Sequence, residues 1–369
     1  MFYRMISFNE KSDDYFMSIA LKLAKKILGS VAPNPAVGCV IVKNGVIIAE
    51  GNTGVGGRPH AEIVALQKAK NFACGATMYV TLEPCCHFGV TRPCIEKIIK
   101  AKIKRIVVAT IDPDMRVSGG GIKALEEAGI EVEQGVMQKE AEKLNIGFFT
   151  TRKLCRPFIV CKVAITLDGK IASFTGDSKW ITGDDTRNWV HKLRAKHDAI
   201  MIGSNTLIRD DPFLTCRLPT FMPNRQSPIR LIIDSQGKLK EWCNIAKTAD
   251  KITTWIITNK KVEEKIKNIN YLIVNSNSVG KVCLSDMTSK LALEIGITRL
   301  LVEGGGILIT ELMKKKLIDK LIICRTGKIL GNDAIPFIGN LGIKSVDNCY
   351  QFKKIETINF NEDIVEIWV

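Results

Sequence analysis

No apolar run in this chain approaches the ~18 residues a membrane span needs. The opening stretch, MFYRMISFNEKSDDYF, is broken by charge too early to hold a secretory core segment. Both absences point to a soluble protein of the cytoplasm. Aromatic residues make up only 7%, and no basic block is interleaved with them. The net charge of +15 therefore does not read as a nucleic-acid surface, because the lysines are scattered as on solvated helix faces. A phosphorylated small molecule is the better partner for such an excess. Disulfide spacing is missing as well. Of the twelve cysteines, Cys39, Cys161 and Cys324 lie inside apolar strand-like runs, as small buried hydrophobes do in a reducing compartment. Only Cys85, Cys86 and Cys94 are dense enough to suggest a metal. The sequence leaves the oligomeric state open, a homo-oligomer included.

With 369 residues, 46% apolar and 25% charged, the chain reads as a globular enzyme of two domains. Ser12 to Leu28 predicts a helix, with Ser12 as N-cap and Gly29 after the last turn. Asn44-Gly45 between Val37–Val42 and Val46–Ala49 predicts a hairpin. Strands at Met78–Leu82, Arg105–Ile111 and Ile130–Glu133 alternate with helices from His60, Cys94 and Ile122. That order predicts a three-layer α/β/α unit. A helical stretch over 138–145 followed by Thr151-Arg152-Lys153 marks the linker, which gives domains at 1–150 and 151–369. A second α/β pattern follows Pro157, with strands at Phe158–Leu167, Ala199–Ile202, Ile229–Ile233, Ile252–Thr258, Tyr271–Val274 and Arg299–Val302. Helices are predicted there at Asp184–His197, Asp286–Ile295 and Ile307–Leu317. The halves share no repeat and read as two different folds fused.

The chemistry is densest in the first half. Pro59-His60-Ala61-Glu62, Glu83-Pro84-Cys85-Cys86-His87 and Pro93-Cys94 supply an imidazole, thiolates and a free carboxylate. Three such ligands hold Zn²⁺ and leave a fourth position for water, whose pKa falls to about 7. An uncoordinated glutamate then carries the proton, which is the zinc-deaminase signature. His60 and Glu62 are two apart and would face opposite ways on a regular helix. Both address one site only if His60 is the half-extended cap and Glu62 lies in the first turn. Cys94 also opens a helix after Pro93, so two helix N-termini would favour thiolate at the metal. The competing readings are a closed four-ligand structural site, since Cys86 and His87 are also close by, and a redox cysteine cluster. Glu83 precedes a proline and reads as a residue that orients the loop.

In the second half, Gly304-Gly305-Gly306 stands between the strand Leu300-Leu301-Val302 and a helix. Backbone N–H groups at such a turn can approach a phosphate, although a plain tight turn has the same composition. Arg194 and Arg217 can grip a phosphate in the planar, two-pronged way of guanidinium. Trp180 can stack on a flat ring, against the usual fate of a buried core tryptophan. Asp168-Gly169 reads equally well as a hairpin turn. No histidine or carboxylate identifies itself as a proton donor for this half.

These motifs together resemble a known family. Pro33-Asn34-Pro35-Ala36-Val37-Gly38, Pro59-His60-Ala61-Glu62, Thr81-Leu82-Glu83-Pro84-Cys85-Cys86-His87 and the eight-residue gap to Cys94 resemble the bifunctional deaminase-reductases of riboflavin biosynthesis. The long gap separates that family from cytidine and tRNA-adenosine deaminases. In the second half Lys162-Val163-Ala164, Leu167-Asp168-Gly169-Lys170, Ser178-Lys179-Trp180-Ile181-Thr182, Asp210-Asp211-Pro212 and Val302-Glu303-Gly304-Gly305 continue the likeness in order. The resemblance implies a cytidine-deaminase-like domain followed by a dihydrofolate-reductase-like α/β domain. It implies zinc on His60, Cys85 and Cys94, Glu62 as proton shuttle, and Asn34 at the pyrimidine. It places NADPH at Ala164, Trp180, Thr206, Asp210, Ser235 and the turn Gly305, Gly306, Ile307, Leu308, Ile309, Thr310 and Glu311. It places a phosphorylated pyrimidine substrate at Ser178, Arg194, Leu214, Arg217 and Glu303.

The implied reactions remove the 2-amino group of a phosphoribosylamino-diaminopyrimidinone and then reduce its ribosyl chain to ribityl. The chain departs from the family at Cys86, usually serine. It also departs at Val90 and Arg92, where the arginine has moved by two residues, and at Asp114-Met115. A nucleic-acid base deaminase with an accessory domain is the alternative enzyme, and a zinc-stabilised binding protein the alternative of another class.

Overall fold

The structure, a computed structural model, describes residues 12–89, 92–217 and 227–369. The expectations placed on the opening residues and on Val90 lie outside that range. The chain separates into two compact units, 1–153 and 154–369.

In the first unit, α1 (Asp13–Lys25) is capped by Ser12, whose hydroxyl accepts from the Tyr15 N–H at 3.4 Å. It stops three residues short of Leu28. The Lys26 and Ile27 N–H groups bond three residues back, to Leu23 and Ala24, and tighten the last turn. The hairpin β1 (Gly38–Lys43) and β2 (Val46–Asn52) turns through Asn44 and Gly45, both at positive φ, as the Asn-Gly pair requires. Then come α2 (Ala61–Ala69), β3 (Thr77–Val80), α3 (Cys94–Lys100), β4 (Arg105–Val108), α4 (Gly120–Glu127), β5 (Glu131–Gln134), α5 (Gln138–Leu144) and α6 (Ile146–Leu154). The sheet order is β2-β1-β3-β4-β5, antiparallel up to β3 and parallel beyond it. Alternation along the strands builds two cores. Cys39, Ile41, Met78, Val80, Ile106 and Val108 pack with Ala61, Ala65, Ile98 and Leu125, while Val40, Val42, Tyr79 and Val107 pack with Phe16, Met17 and Ala141. The three layers follow from that period of two. Residues 151–153, expected as a linker, are instead helical within α6, because Phe148, Phe149, Thr150 and Thr151 are buried.

The second unit runs β6 (Phe158–Ile165), β7 (Lys170–Ala172), α7 (Asp184–Arg194), β8 (Ala199–Gly203), α8 (Ser204–Asp210), β9 (Ile229–Ile233), α9 (Asn244–Lys247), β10 (Thr254–Thr258), β11 (Asn270–Ile273), α10 (Leu284–Leu293), β12 (Arg299–Val302), α11 (Gly306–Lys314), β13 (Lys320–Thr326), β14 (Ile335–Pro336), β15 (Lys354–Phe360) and β16 (Asp363–Trp368). The main sheet is ordered β11-β10-β9-β8-β12-β6-β13-β16-β15, parallel as far as β13 and antiparallel at its last two strands. One face carries Cys161, Met201, Leu231 and Val302 against α10 and α11, and the other Val160, Ile200, Ile232 and Leu301 against α7, α8 and α9. The carboxyl ends of the parallel strands therefore open on a common edge, where ligands bind in open α/β sheets. Among the described residues no helix is long and apolar enough to cross a membrane.

Candidate functional sites

The first site is assembled by two helix starts and one loop. His60 is the N-cap of α2, with extended backbone (φ −70°, ψ 154°), and Glu62 sits in the first turn, 4% exposed. This is the half-extended arrangement that lets residues two apart share a site. Cys94 opens α3 after Pro93. The His60 Nδ1 lies 3.2 Å from Cys94 Sγ and 3.6 Å from Cys85 Sγ, and the Cys94 N–H donates to Cys85 Sγ at 3.3 Å. One donor atom from each of His60, Cys85 and Cys94 falls within 4.8 Å of the other two. Cys86 and His87 are not part of the group; Cys86 Sγ is directed at the Arg116 and Val117 carbonyls instead. Among the described residues no fourth histidine, cysteine or carboxylate joins the group.

The electrostatics fit a cation. A hydrogen bond from Cys94, helped by His60, holds the Cys85 thiol down at about 4. The Cys94 thiol is raised because it shares its proton with Cys85, and the His60 imidazole is raised by its bond to Cys85. A pair of thiols with one proton between them, against an imidazole, is a donor set that Zn²⁺ satisfies. Burial raises the Glu62 carboxyl, with His60 opposing. A buried carboxyl beside the ligand group is placed to carry a proton.

Around the site lies a cavity of about 240 Å³, lined by Asn34, His60, Glu62, Cys85, His87, Asp112, Arg116 and Arg152 among others. Asn34 donates to the Gly57 carbonyl at 3.2 Å. A Cβ on Gly57, which has φ +87°, would stand 2.0 Å from the Asn34 amide nitrogen, so that position requires glycine. Glu83 holds the cysteine loop to the start of α4 by accepting from the N–H groups of Asp112, Gly119, Gly121 and Ile122. Sequence gave it an orienting role without these partners, which lie far along the chain. Asp114 is ion-paired to Arg116 at 2.6 Å and Arg152 at 3.5 Å.

The second site is a cavity of about 1470 Å³ at the carboxyl ends of β6, β8, β9 and β12. Ala164, Trp180, Thr206, Asp210, Ser235, Gly305, Gly306, Ile307, Leu308, Thr310 and Glu311 line it, with Ser178, Arg194, Leu214, Arg217 and Glu303. Ile309 does not. It is fully buried against Val163 and Ile165, because the helical turn that exposes Ile307 carries Ile309 to the sheet side. Trp180 is 62% exposed, with the Arg187 guanidinium 4.6 Å above its ring, so it is not a core tryptophan. Arg194 differs from the expectation of a free phosphate grip. Its Nε and Nη2 donate to Glu303 at 2.6 and 3.0 Å, and its Nη1 to the Thr215 carbonyl at 2.9 Å. Burial pushes Glu303 up, but Arg194 and Lys162 outweigh it and hold the carboxyl at about 2.

Two further residues here were given no role from sequence. Lys162 Nζ lies 3.9 Å from Glu303, and His191 also faces the cavity, its imidazole pushed down to about 4 by burial and by Arg194 and Arg217. The only sequence signal for His191 is its place one helical turn before Arg194. Asp168 proves to be a turn residue, accepting from Thr166, Leu330 and Gly331.

Comparison with known proteins gives the same division. Residues 10–110 match the cytidine and deoxycytidylate deaminase zinc-binding region, and residues 157–365 match the RibD C-terminal domain. The riboflavin biosynthesis protein RibD of Aquifex aeolicus is 42% identical over 357 residues, covering 96% of this chain and 97% of its own. The chain belongs to the RibD family of riboflavin biosynthesis proteins. The Escherichia coli RibD is 37% identical over 95% of the chain and 98% of its own. The Acinetobacter baumannii RibD structure superposes with a TM-score of 0.89 at 36% identity, covering 97% of this chain and 98% of that one. A Thermotoga maritima structure, a diaminohydroxyphosphoribosylaminopyrimidine deaminase/5-amino-6-(5-phosphoribosylamino)uracil reductase, gives 0.86 at 35% identity, covering 96% and 98%. The expected fold class, a three-layer cytidine-deaminase-like unit followed by a dihydrofolate-reductase-like α/β unit, is borne out, the second unit being a RibD C-terminal domain. As a RibD protein the chain is a bifunctional enzyme, a zinc-dependent deaminase and an NADPH-dependent reductase. The nucleic-acid base deaminase alternative gives way to that assignment.

Proposed function

We propose that the first unit hydrolyses the 2-amino group of 2,5-diamino-6-(5-phosphoribosylamino)pyrimidin-4-one. The second unit then reduces the ribosyl chain of 5-amino-6-(5-phosphoribosylamino)uracil to ribityl. The observation that carries this reading is the convergence of His60, Cys85 and Cys94 beside the buried, uncoordinated Glu62. Zinc on those three residues supplies a water acidic enough to react near pH 7. Glu62 takes the proton released on attack and delivers it to the departing amino nitrogen, which leaves as ammonia. Asn34, held by Gly57 at the cavity wall, orients the pyrimidine.

In the second unit NADPH supplies the hydride. Gly305 and Gly306 at the start of α11 receive its pyrophosphate, and Trp180, Thr206, Asp210 and Ser235 hold the remainder. Glu303, fixed by Arg194 and near Lys162, faces the sugar of the substrate, whose phosphate meets Arg217. Ser178 and Leu214 complete the substrate wall. Domains of 1–150 and 151–369 carry the two activities. The twelve free thiols support a reducing, cytoplasmic setting. Metal analysis combined with ammonia release on the phosphoribosyl diaminopyrimidinone tests the reading. One zinc per chain and stoichiometric ammonia support it, and ammonia release undiminished after zinc removal would refute it.

A further inference from the structure

Among the described residues, the largest fully buried side chain is a charged one. Arg230 lies in β9 and is 0% exposed. A charge so placed is costly unless each of its donors is met. All five N–H groups of this guanidinium are met, and every acceptor is neutral. Nε donates to the Thr254 hydroxyl at 2.9 Å. Nη1 donates to the Phe213 carbonyl at 3.2 Å and to the Thr248 hydroxyl at 2.7 Å. Nη2 donates to the Ile245 and Ile252 carbonyls at 3.0 and 3.2 Å. Burial lowers the guanidinium to about 10, with Asp250 opposing, so it stays charged near neutral pH.

Four of those acceptors belong to α9 and to the segment that leads from it into β10. The fifth, Phe213, lies elsewhere. Residues 211–217 are neither helix nor strand, so their carbonyls have no ladder to satisfy them. Residues 210–214 line the large cavity, whereas Arg230 does not. Leu214 has φ +50°, a conformation a leucine keeps only where its surroundings hold it. Its side chain is 4% exposed and belongs to the same core as Leu239, Cys243 and Ile245.

The start of this segment has a separate anchor. Asp211 Oδ1 accepts from the Asn244 N–H at 2.8 Å, and the Asp211 carbonyl accepts from the Asn244 carboxamide at 2.8 Å. The cavity wall is therefore tied twice, at Asp211 by Asn244 and at Phe213 by Arg230. Asp210, at the end of α8, lies before the first tie, and Leu214 follows directly on the second.

We propose that Arg230 is a positioning residue for the reduction: its bond to the Phe213 carbonyl fixes the backbone that presents Leu214 to the ribosyl substrate. The inference rests on the reading of Leu214 as part of the substrate wall. Arginine suits the task because its five donors form a rigid planar fork. Lysine, with three donors on one nitrogen, cannot span the Phe213 carbonyl and the acceptors of α9 and β10 together.

The test is steady-state reduction of 5-amino-6-(5-phosphoribosylamino)uracil by NADPH, with each reactant varied in turn. The full-length zinc-loaded enzyme is compared with R230M, R230K and T254V, and urea unfolding is followed for each. T254V removes one acceptor of Arg230 but leaves the bond to Phe213. In R230M the KM for the aminouracil should rise about 10-fold or more, with the KM for NADPH within about twofold of wild type. Asp211 keeps its own anchor in that variant, which is why the two constants should part. R230K should fall between wild type and R230M. T254V should lower the urea midpoint and leave both KM values unchanged. The proposal is overturned by a wild-type aminouracil KM in R230M, by both KM values rising alike, or by T254V raising the aminouracil KM as far as R230M does. If R230M does not fold, R230K decides: a raised aminouracil KM alone supports the role, and a wild-type value removes it. Wild-type enzyme that does not reduce the aminouracil at all would instead remove the reading of the cavity, and the role of Arg230 with it.

Discussion

Arg194 and Glu303 meet in a two-pronged ion pair, Nε to Oε1 at 2.6 Å and Nη2 to Oε2 at 3.0 Å, although they are 109 residues apart in sequence. The pair joins the end of α7 to the residue that follows β12, with only 14% and 10% of the two side chains exposed. Removing one partner from such a pair leaves a nearly buried charge unmatched, typically at about 3–5 kcal/mol. Arg194→Ala should therefore destabilise the C-terminal unit on that scale and abolish reduction, while ammonia release by the N-terminal unit continues. Denaturant unfolding with both activity assays measures this; a stable variant with normal reduction would show that the pair is dispensable.

The same corner predicts an acid response. His191 has a folded pKa of about 4 against an ordinary 6.5, and Glu303 about 2 against 4.5. Both are depressed, so each contributes stability that is fully present above its ordinary value and is lost as pH falls through the folded one. The C-terminal unit should lose stability between pH 6.5 and 4 through His191, and further below 4.5 through Glu303. His191→Gln should flatten the upper part of that slope. A urea midpoint series against pH checks it, and an unchanged slope in the variant would assign the effect elsewhere.

Much of the fold could be read in advance, for identifiable reasons. Asn44-Gly45 admits few alternatives, and the continuous apolar runs at Val37–Val42 and Leu300–Val302 match strands buried on both faces. The end strands β15 and β16 were not foreseen. β15 is an exposed edge strand with an irregular register against β16, and its sequence Lys-Ile-Glu-Thr-Ile-Asn-Phe carries little buried pattern. The extension of α6 through 151–153 was hidden because its polar threonines bond back to their own helix, at Ile146 and Gly147, rather than marking a loop.

At the first site the grouping of His60, Cys85 and Cys94 beside Glu62 could be read because a helix cap, its first turn and a second helix start leave little choice of geometry. The engagement of Arg194 by Glu303 could not, since it depends on the order in which strands cross the sheet.

Glu83 supplies another test. Its carboxylate receives four backbone N–H groups, all from residues 112–122. Glu83→Gln replaces one acceptor oxygen with a donor facing donors, at about 1–3 kcal/mol. The variant should lower thermal stability and weaken zinc retention by loosening the loop that carries Cys85. Melting curves with and without zinc decide this; identical curves to wild type would mean the loop is held by other contacts.

Cys86 is the natural control. Its sulfur is directed away from the ligand group, toward the Arg116 and Val117 carbonyls at 3.8 and 4.0 Å. Cys86→Ser should keep one zinc per chain, whereas Cys94→Ala should lose it. Zinc lost from the Cys86 variant would bring that residue into the coordination sphere.

The most direct measurement concerns Glu62→Gln, assayed for zinc content, ammonia release and reduction of deaminated substrate in one preparation. We predict full zinc, ammonia release lower by about two to four orders of magnitude, and reduction unaffected. Zinc lost with the substitution, or ammonia released at the wild-type rate, would contradict the role of Glu62 as the proton carrier.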